Sequence, residues 1–200
     1  MVFLIYVWTI GIIGGTLLGA LGARLPTLVG FPSKVLGFTL SGIPVLVLLI
    51  WVHYPLQSLL HVVINPFTTT AAVLIFVNIF VVSDIVRRSL LDFPSDYFEA
   101  ATVCGLNKRQ VLFAIQLPIV ARQIVPNLLR TQVYMLHATI FGSIISVNEI
   151  FRVTQQINSI IYRPVEIYTA LALLFLGVSL PINAMALSLS NKYTRQMSQQ

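Results

Sequence analysis

Long apolar runs without a charged side chain dominate the pattern along this chain. Asp, Glu, Lys and Arg are all missing from four segments, which are residues 1–23, 35–83, 131–148 and 167–191. One membrane crossing takes roughly 20 apolar residues, so each run is long enough for about one. The second run has the length of two crossings, and we divide it where His53-Tyr54-Pro55 and Asn65-Pro66 interrupt it.

The pattern therefore predicts an all-α integral membrane protein with five transmembrane helices, at about residues 2–23, 35–52, 68–86, 125–147 and 167–190. Inside lipid the backbone satisfies its own hydrogen bonds, which favours helices for runs this apolar. Strands of a membrane barrel alternate polar and apolar residues, and these runs do not. The first run could be read as a signal peptide, but it lacks a basic start and is longer than the typical apolar region of one. We expect one membrane domain over residues 1–191 and a short cytoplasmic tail over residues 192–200.

Basic residues divide unequally between the two sets of loops that five crossings create. One set holds Arg24, Lys34, Arg87, Arg88, Lys108, Arg109, Arg122, Arg130, Lys192 and Arg195, and the other holds Arg152 and Arg163. An excess of Lys and Arg marks cytoplasmic loops. The N-terminus is therefore predicted outside and the C-terminus inside. Because topology accounts for the net charge of +6, no nucleic-acid partner is expected.

Composition narrows the class further. Hydrophobic residues make up 57% of the chain and charged residues 9%, whereas a soluble domain carries about 25% charged residues. No phosphate-binding G-x-x-x-x-G-K-[ST] loop occurs, no His/Cys cluster has metal-ligand spacing, and Cys104 is the single cysteine. His137 and Ser143 are separated by about 240° around a helix, which disfavours an intramembrane protease. We therefore expect no enzyme and no metal site in this chain.

One polar, helix-forming segment interrupts the apolar pattern in the middle of the chain. Asp96 and Glu99 have the spacing of a capping box, which predicts a helix from about residue 97. Gly105 is suited to end that helix in a left-handed conformation, and Asn107 to cap a second one. Pro118 marks the expected end of the second helix. We expect this helix, Gly turn and helix to dock on another protein at the cytoplasmic face.

The same segment carries a spaced motif. Glu99-Ala100-Ala101, Gly105, Ile115 and Leu117-Pro118 form the pattern E-A-A, three residues, G, nine residues, I-x-L-P. This pattern resembles the cytoplasmic-loop signature of the membrane subunits of bacterial ABC importers, and the five-span plan is similar to theirs. Flanking segments resemble those of polar amino acid permeases, namely Ser41-Gly42-Ile43-Pro44-Val45-Leu46, Ser83-Asp84-Ile85-Val86-Arg87 and Ile145-Ser146-Val147-Asn148-Glu149-Ile150-Phe151-Arg152.

The resemblance implies a coupling helix at residues 95–118 that docks on a cytoplasmic ATP-binding subunit, present in two copies. The residues expected to carry this coupling are Glu99, Ala100, Ala101, Gly105, Leu106, Ile115, Leu117 and Pro118. It also implies a second permease subunit, an extracytoplasmic solute-binding protein and a place in the bacterial inner membrane. ATP and magnesium are then expected in the partner ATPase, with no cofactor in this chain and a polar amino acid as the solute.

Polar groups at membrane depth are costly and usually functional. Candidates for the translocation path are Asn78, His137, Thr139, Ser143, Ser146 and Glu149. For the three hydroxyl residues, a hydrogen bond to their own helix backbone is an equal alternative. Several family polar positions are replaced, since the K-D-T-S-L of the family reads His137-Ala138-Thr139-Ile140-Phe141 here. We hypothesise that this chain is the divergent half of a heterodimer, with a homodimer as the alternative.

Two further sets of residues have structural interpretations. Asp84 with Arg87 or Arg88 has the spacing of an ion pair at the inner interface. Gly11, Gly15 and Gly19 recur every fourth residue and form a flat face for a neighbouring helix or subunit.

Two other functions stay open beside the amino acid permease. One is a regulatory or scaffold subunit that keeps the docking loop, and the other is a permease for a different solute such as an osmolyte.

Overall fold

The structure, a computed structural model, describes residues 2–197, with the side chains of residues 3–101 and 103–193, and all regular structure within that part is helical. The helices are α1 (Val2–Arg24), α2 (Pro26–Gly42), α3 (Val45–Leu59), α4 (Pro66–Leu91), α5 (Asp96–Val103), α6 (Lys108–Ile145), α7 (Ile150–Ile161) and α8 (Pro164–Met197). By length and composition α1, α4, α6 and α8 are candidate membrane spans, and α2 with α3 makes a fifth only if the bent pair counts as one.

Helices α1 and α4 form the centre of the fold because glycines let their backbones approach closely. A Cβ atom added at Gly15 would lie 2.8 Å from the backbone oxygen of Ile79 in α4. The neighbour of the glycine face is therefore a helix of the same chain. Helix α6 closes the core, where Val7, Leu74 and Met135 are buried together. Helix α8 packs along α6 and is mostly exposed.

The predicted second span over residues 35–52 is wrong as a single straight helix. The chain bends by 98° between α2 and α3, at Ile43, which is extended with φ −105° and ψ 124°. The physical reason is that Pro44 sterically disfavours the helical conformation at the residue before it. The predicted break at His53-Tyr54-Pro55 is also wrong, because a wider, π-helical turn over Val52–Leu56 carries the helix past Pro55.

Pro118 does not end a helix, contrary to the prediction. Helix α6 runs without interruption over 38 residues, so the predicted span at 125–147 is only its second half. A π-helical turn over Val111–Gln116 precedes the proline. The wider turn separates the proline ring from the carbonyl that it would meet in a regular α-helix. At 1.5 Å per residue α6 is about 57 Å long, nearly twice the hydrocarbon thickness of a bilayer.

The segment between the last two spans holds a helix that the apolar pattern did not reveal. Residues 148–166 have the character of an outer loop in the sequence, but α7 occupies twelve of them. Its first turn is capped by Glu149, whose carboxylate accepts hydrogen bonds from the backbone N–H groups of Phe151 and Arg152. This cap and a left-handed Tyr162 at the far end give α7 defined limits.

Candidate functional site

Helix α5 presents part of the E-A-A motif to solvent and part to its own chain. Glu99 and Ala100 are exposed, whereas Ala101 is 3% exposed and its carbonyl accepts the backbone N–H of Leu106. Gly105 has a φ of +73°, the left-handed conformation that the turn requires and that glycine adopts without strain. The outward surface of α5 therefore offers the carboxylates of Asp96 and Glu99 and the small side chain of Ala100, and Phe98 and Val103 are exposed on the same helix.

The predicted helix, Gly turn and helix over residues 95–118 form an elbow, and its second helix begins as the sequence indicates. Asn107 caps α6 reciprocally with Gln110, at 2.8 and 2.9 Å. Farther along, Ile115 packs against the cluster of Val82, Val86, Phe93, Val120 and Ile124. Leu117 is 39% exposed, and Pro118 lies inside the continuous helix. The elbow is thus seated on the membrane bundle through α6 and is not a separate, loosely tethered unit.

An aromatic contact holds α5 against the end of α4. Phe93 is 7% exposed, and its ring lies 5.3 Å from the ring of Tyr97 and 5.4 Å from that of Phe98, measured between centroids. Because both contacts come from the first turn of α5, they fix the direction in which the helix leaves the bundle. Helix α5 therefore contacts the end of α4 as well as the start of α6.

Asp84 forms ion pairs with two arginines one turn later in α4, and Arg87 also donates a hydrogen bond to it. Its carboxylate oxygens lie 2.6 Å from Nη2 of Arg87 and 2.7 Å from Nε of Arg88. The Arg87 side chain is 12% exposed and that of Arg88 is 65% exposed. The carboxylate thus neutralises an arginine that is largely withdrawn from solvent, at the end of α4 that lies next to α5.

Asn78 is completely buried and joins three helices. Its amide nitrogen donates to the backbone oxygen of Val7 at 3.0 Å and to Oε1 of Gln132 at 3.1 Å. Gln132 Nε2 donates back to Asn78 Oδ1 at 3.2 Å. With 0% exposure and its donors engaged, this side chain lines no open cavity in this conformation. Its geometry is that of a clamp between α1, α4 and α6.

The other polar candidates on α6 divide into two groups. Thr139 and Ser143 are buried, and each hydroxyl donates to a carbonyl one turn earlier, Leu136 and Ile140 respectively, at 2.7 Å. These two residues adopt the alternative of bonding to their own backbone. His137 and Ser146 are exposed, and the ring centroid of His137 lies 6.0 Å from that of Phe175 in α8. The structure does not bring all the candidates to one surface.

Glu149 lies just beyond the end of α6, beside the start of α7. Burial raises the pKa of its carboxyl above the ordinary value, and the hydrogen bonds from Phe151 and Arg152 oppose that shift. Nη1 of Arg152 donates to the backbone oxygen of Ser143 at 3.2 Å. Arg152 thereby ties α7 to the last turn of α6, and Glu149 caps the first turn of α7.

Two polar contacts escaped the sequence reasoning. Gln132 is the partner of Asn78, and a glutamine inside a charge-free run was a signal of the same kind as Asn78 itself. Gln57 is 8% exposed and donates to Thr69 Oγ1 at 2.9 Å, with His53 Nδ1 at 3.2 Å from its amide nitrogen. This cluster fastens α3 to α4, and its parts are too far apart in sequence for a spacing rule to find. Among the described residues, no group of three or more metal-ligating side chains converges.

Comparisons with known proteins connect this geometry to a family. The family of binding-protein-dependent transport system inner membrane components matches residues 11–195. The octopine transport system permease protein OccM of Rhizobium meliloti is 29% identical over 157 residues, which cover 74% of this chain and 64% of that protein. This chain therefore spans slightly less than two thirds of that relative. The glutamine transport system permease protein GlnP of Escherichia coli is 22% identical over 184 residues, 90% of this chain and 84% of that protein.

Solved structures share the fold. A crystal structure of an amino acid ABC transporter with histidines has a TM-score of 0.81 at 21% identity, covering 96% of this chain and 88% of that one. An inward-facing structure of the MetNI methionine ABC transporter has a TM-score of 0.67 at 16% identity, covering 94% and 91%. The helical arrangement described above is therefore a fold that chains of these two transporters share.

Proposed function

Because the chain belongs to the family of binding-protein-dependent transport system inner membrane components, we propose that it is a permease subunit of an ATP-driven importer for a polar amino acid. The observation that carries the coupling role is the exposed Glu99-Ala100 surface of α5, held against the bundle at both ends. The amino acid preference rests on relatives such as the glutamine permease of Escherichia coli. The expected location is the bacterial inner membrane, with the N-terminus outside and the C-terminus inside.

The proposed mechanism uses α6 as a rigid link. A cytoplasmic ATP-binding subunit seats α5 in a groove, with Glu99 as the polar contact and Ala100 small enough for close approach. Two such subunits close on ATP and magnesium and push two copies of this elbow together. Because α6 is one continuous helix that includes both the elbow and a candidate span, its displacement is proposed to tilt the whole helix. This rigid-body movement would switch the side to which the path opens.

The proposed path forms between this chain and a second permease subunit, since one bundle with these few spans does not enclose a channel. A solute-binding protein delivers the solute from outside. Exposed His137 and Ser146, with Glu149 nearby, are the residues proposed to face the path. Asn78, Thr139 and Ser143 are assigned to packing instead, because their polar atoms are engaged within the chain. Few polar residues of this chain are thus left to face the path, which supports a heterodimer whose other permease subunit makes most of the contacts with the solute.

The proposal is tested by ATPase activity of the reconstituted complex, with candidate binding proteins and amino acids. Stimulation by one loaded binding protein identifies the solute class. Glu99→Lys is expected to abolish that stimulation, because it places a cation where the docking surface offers a carboxylate. The matched control is Glu166→Lys, the same charge reversal at the exposed start of α8, which is expected to leave stimulation unchanged. Normal stimulation of the Glu99→Lys complex would refute coupling through α5.

Two outcomes separate the alternatives. A chain that assembles with the ATPase but supports no solute uptake, with any binding protein, is a scaffold subunit. Uptake of an osmolyte without uptake of amino acids keeps the permease role and changes the solute. His137→Ala tests the heterodimer assignment, which predicts that transport persists. Abolished transport with intact assembly and ATPase coupling would contradict it.

A further inference from the structure

The surface of α7 is divided into three arcs around the helix. One arc packs on the bundle, where Thr154 is 9% exposed and Phe151 lies 6.4 Å from Tyr168 between ring centroids. A polar arc exposes Gln155, Gln156 and Ser159. The third arc is entirely aliphatic and exposed, with Ile150 at 41%, Val153 at 44%, Ile157 at 43%, Ile160 at 79% and Ile161 at 54%. At 100° per residue these five side chains fall within about a third of the circumference.

Removing such an arc from water is energetically favourable. A helix with one aliphatic face and one polar face that is too short to span is typical of a segment lying in the membrane interface. Helix α7 has twelve residues and is about 18 Å long, against roughly 30 Å for the hydrocarbon core. It also connects two candidate spans, α6 and α8, so both of its ends are held at the membrane surface.

The composition of the arc favours lipid over a protein partner. Protein interfaces concentrate binding energy in Trp, Tyr and Arg, and the arc contains only isoleucine and valine. Exposed aliphatic residues also occur at the adjoining ends of the two neighbouring spans. Ile144, in the last turn of α6, is 51% exposed, and Val165, in the first turn of α8, is 76% exposed.

We propose that α7 lies in the membrane interface on the face opposite α5, with its aliphatic arc among the acyl chains and its polar arc toward water. The bond from Arg152 to the Ser143 carbonyl, at 3.2 Å, then anchors the end of α6 to that leaflet. If the proposed coupling through α5 holds, α6 is pushed at one end and held by lipid at the other. The position of α7 itself does not depend on the transport proposal.

Single-tryptophan quenching in nanodiscs tests the position. The native Trp8 and Trp51 are first replaced by phenylalanine. Trp8 Nε1 has no hydrogen-bond partner in the described part of the chain, so its replacement breaks no hydrogen bond there, and Trp51 is 49% exposed. Tryptophan is then placed at Ile160, on the aliphatic arc, or at Ser159, one residue away on the polar arc. Emission of the assembled transporter is compared in ordinary and brominated phosphatidylcholine.

Tryptophan at position 160 is expected to lose about half or more of its emission in brominated lipid, and tryptophan at position 159 much less, because only one of the two arcs meets acyl chains. Unquenched, blue-shifted emission at 160 would mean that a protein covers the arc. Unquenched, red-shifted emission would mean that water does. Either result overturns the proposal. If Ile160→Trp fails to assemble, Ile157→Trp on the same arc replaces it. Quenching without stimulated ATPase activity would refute the transport function alone.

Discussion

Replacing Asn78 by leucine tests whether the buried amide pair holds three helices together. Leucine has nearly the shape of asparagine, so the change removes polar atoms with little change in volume. Three hydrogen bonds are lost, to the Val7 carbonyl at 3.0 Å and with Gln132 at 3.1 and 3.2 Å. Hydrogen bonds between membrane helices contribute about 0.6 kcal/mol on average and about 1.7 at most. We expect the free energy of unfolding to fall by about 2–5 kcal/mol.

The assay is equilibrium unfolding in mixed micelles, carried out as a double-mutant cycle. Asn78→Leu, Gln132→Leu and the double variant are compared with the wild type. Two of the three bonds join these side chains, so the coupling energy is expected at about 1–3 kcal/mol. Thr39→Val is the matched control, because the Thr39 hydroxyl lies on an exposed face and bonds only to the Val35 carbonyl of its own helix. Its effect is expected within about 0.5 kcal/mol.

Two results would refute the clamp. Additive effects of Asn78→Leu and Gln132→Leu would mean that the pair contributes no interaction energy. Unchanged stability of Asn78→Leu together with lost transport would return Asn78 to the translocation path, the role that its depth in the membrane first indicated. The cycle therefore separates the structural role of this residue from the functional one.

Three further variants test other parts of the fold. Gly15→Leu is expected to unfold or misassemble the chain, because the new Cβ atom would lie 2.5 Å from Cβ of Val82. Gly177→Ala is the control, since a Cβ atom added there has nothing within 4 Å, and it is expected to be neutral when the thermal unfolding of both variants is measured. Gly105→Val forces a β-branched residue to a φ of +73°; ATPase stimulation is expected to fall while the membrane bundle stays folded, and normal stimulation would contradict this. The raised pKa of Glu149 means that the folded state binds this proton more tightly than the unfolded state. The protonated Glu149 carboxyl therefore contributes stability that is present below the unfolded-state pKa and lost as pH rises through the folded-state pKa. Glu149→Gln is expected to remove this pH dependence of the free energy of unfolding. An unchanged dependence in the variant would refute the raised pKa.

The sequence predicted turns and helix caps correctly where residues close together along the chain determine the structure. The turn at Gly105 and the cap at Asn107 depend on residues within four positions of each other, and both are present. Both ends of α1 and the starts of α4 and α8 lie within a few residues of the predicted ones, whereas α4 and α8 continue past their predicted ends to Leu91 and Met197. Charge-free runs predict where such helices lie because the cost of burying charge in lipid acts on every residue independently.

The sequence predicted less well which prolines end a helix, since the effect of a proline on a helix depends on the conformation of the turn before it. Pro44 breaks a helix that was predicted to continue, while Pro55 and Pro118 lie within helices that were predicted to stop. A π-helical turn at Pro55, and another just before Pro118, allows the helix to continue past the proline. Whether the chain forms that turn or a break is decided by how the segments on both sides pack against the bundle, which no local pattern records.

The sequence by itself determined that this chain is helical and apolar, which segments are long enough to cross a membrane, and which motif links it to a transport family. Only the tertiary structure decided what each polar group does. Asn78 and His137 are both polar residues in apolar runs, yet one is sealed against Gln132 and the other is exposed. The physical reason is that a hydrogen-bond partner 54 positions away is brought near by packing of whole helices. Exposure, which separates a clamp from a transport path, exists only once those helices have met.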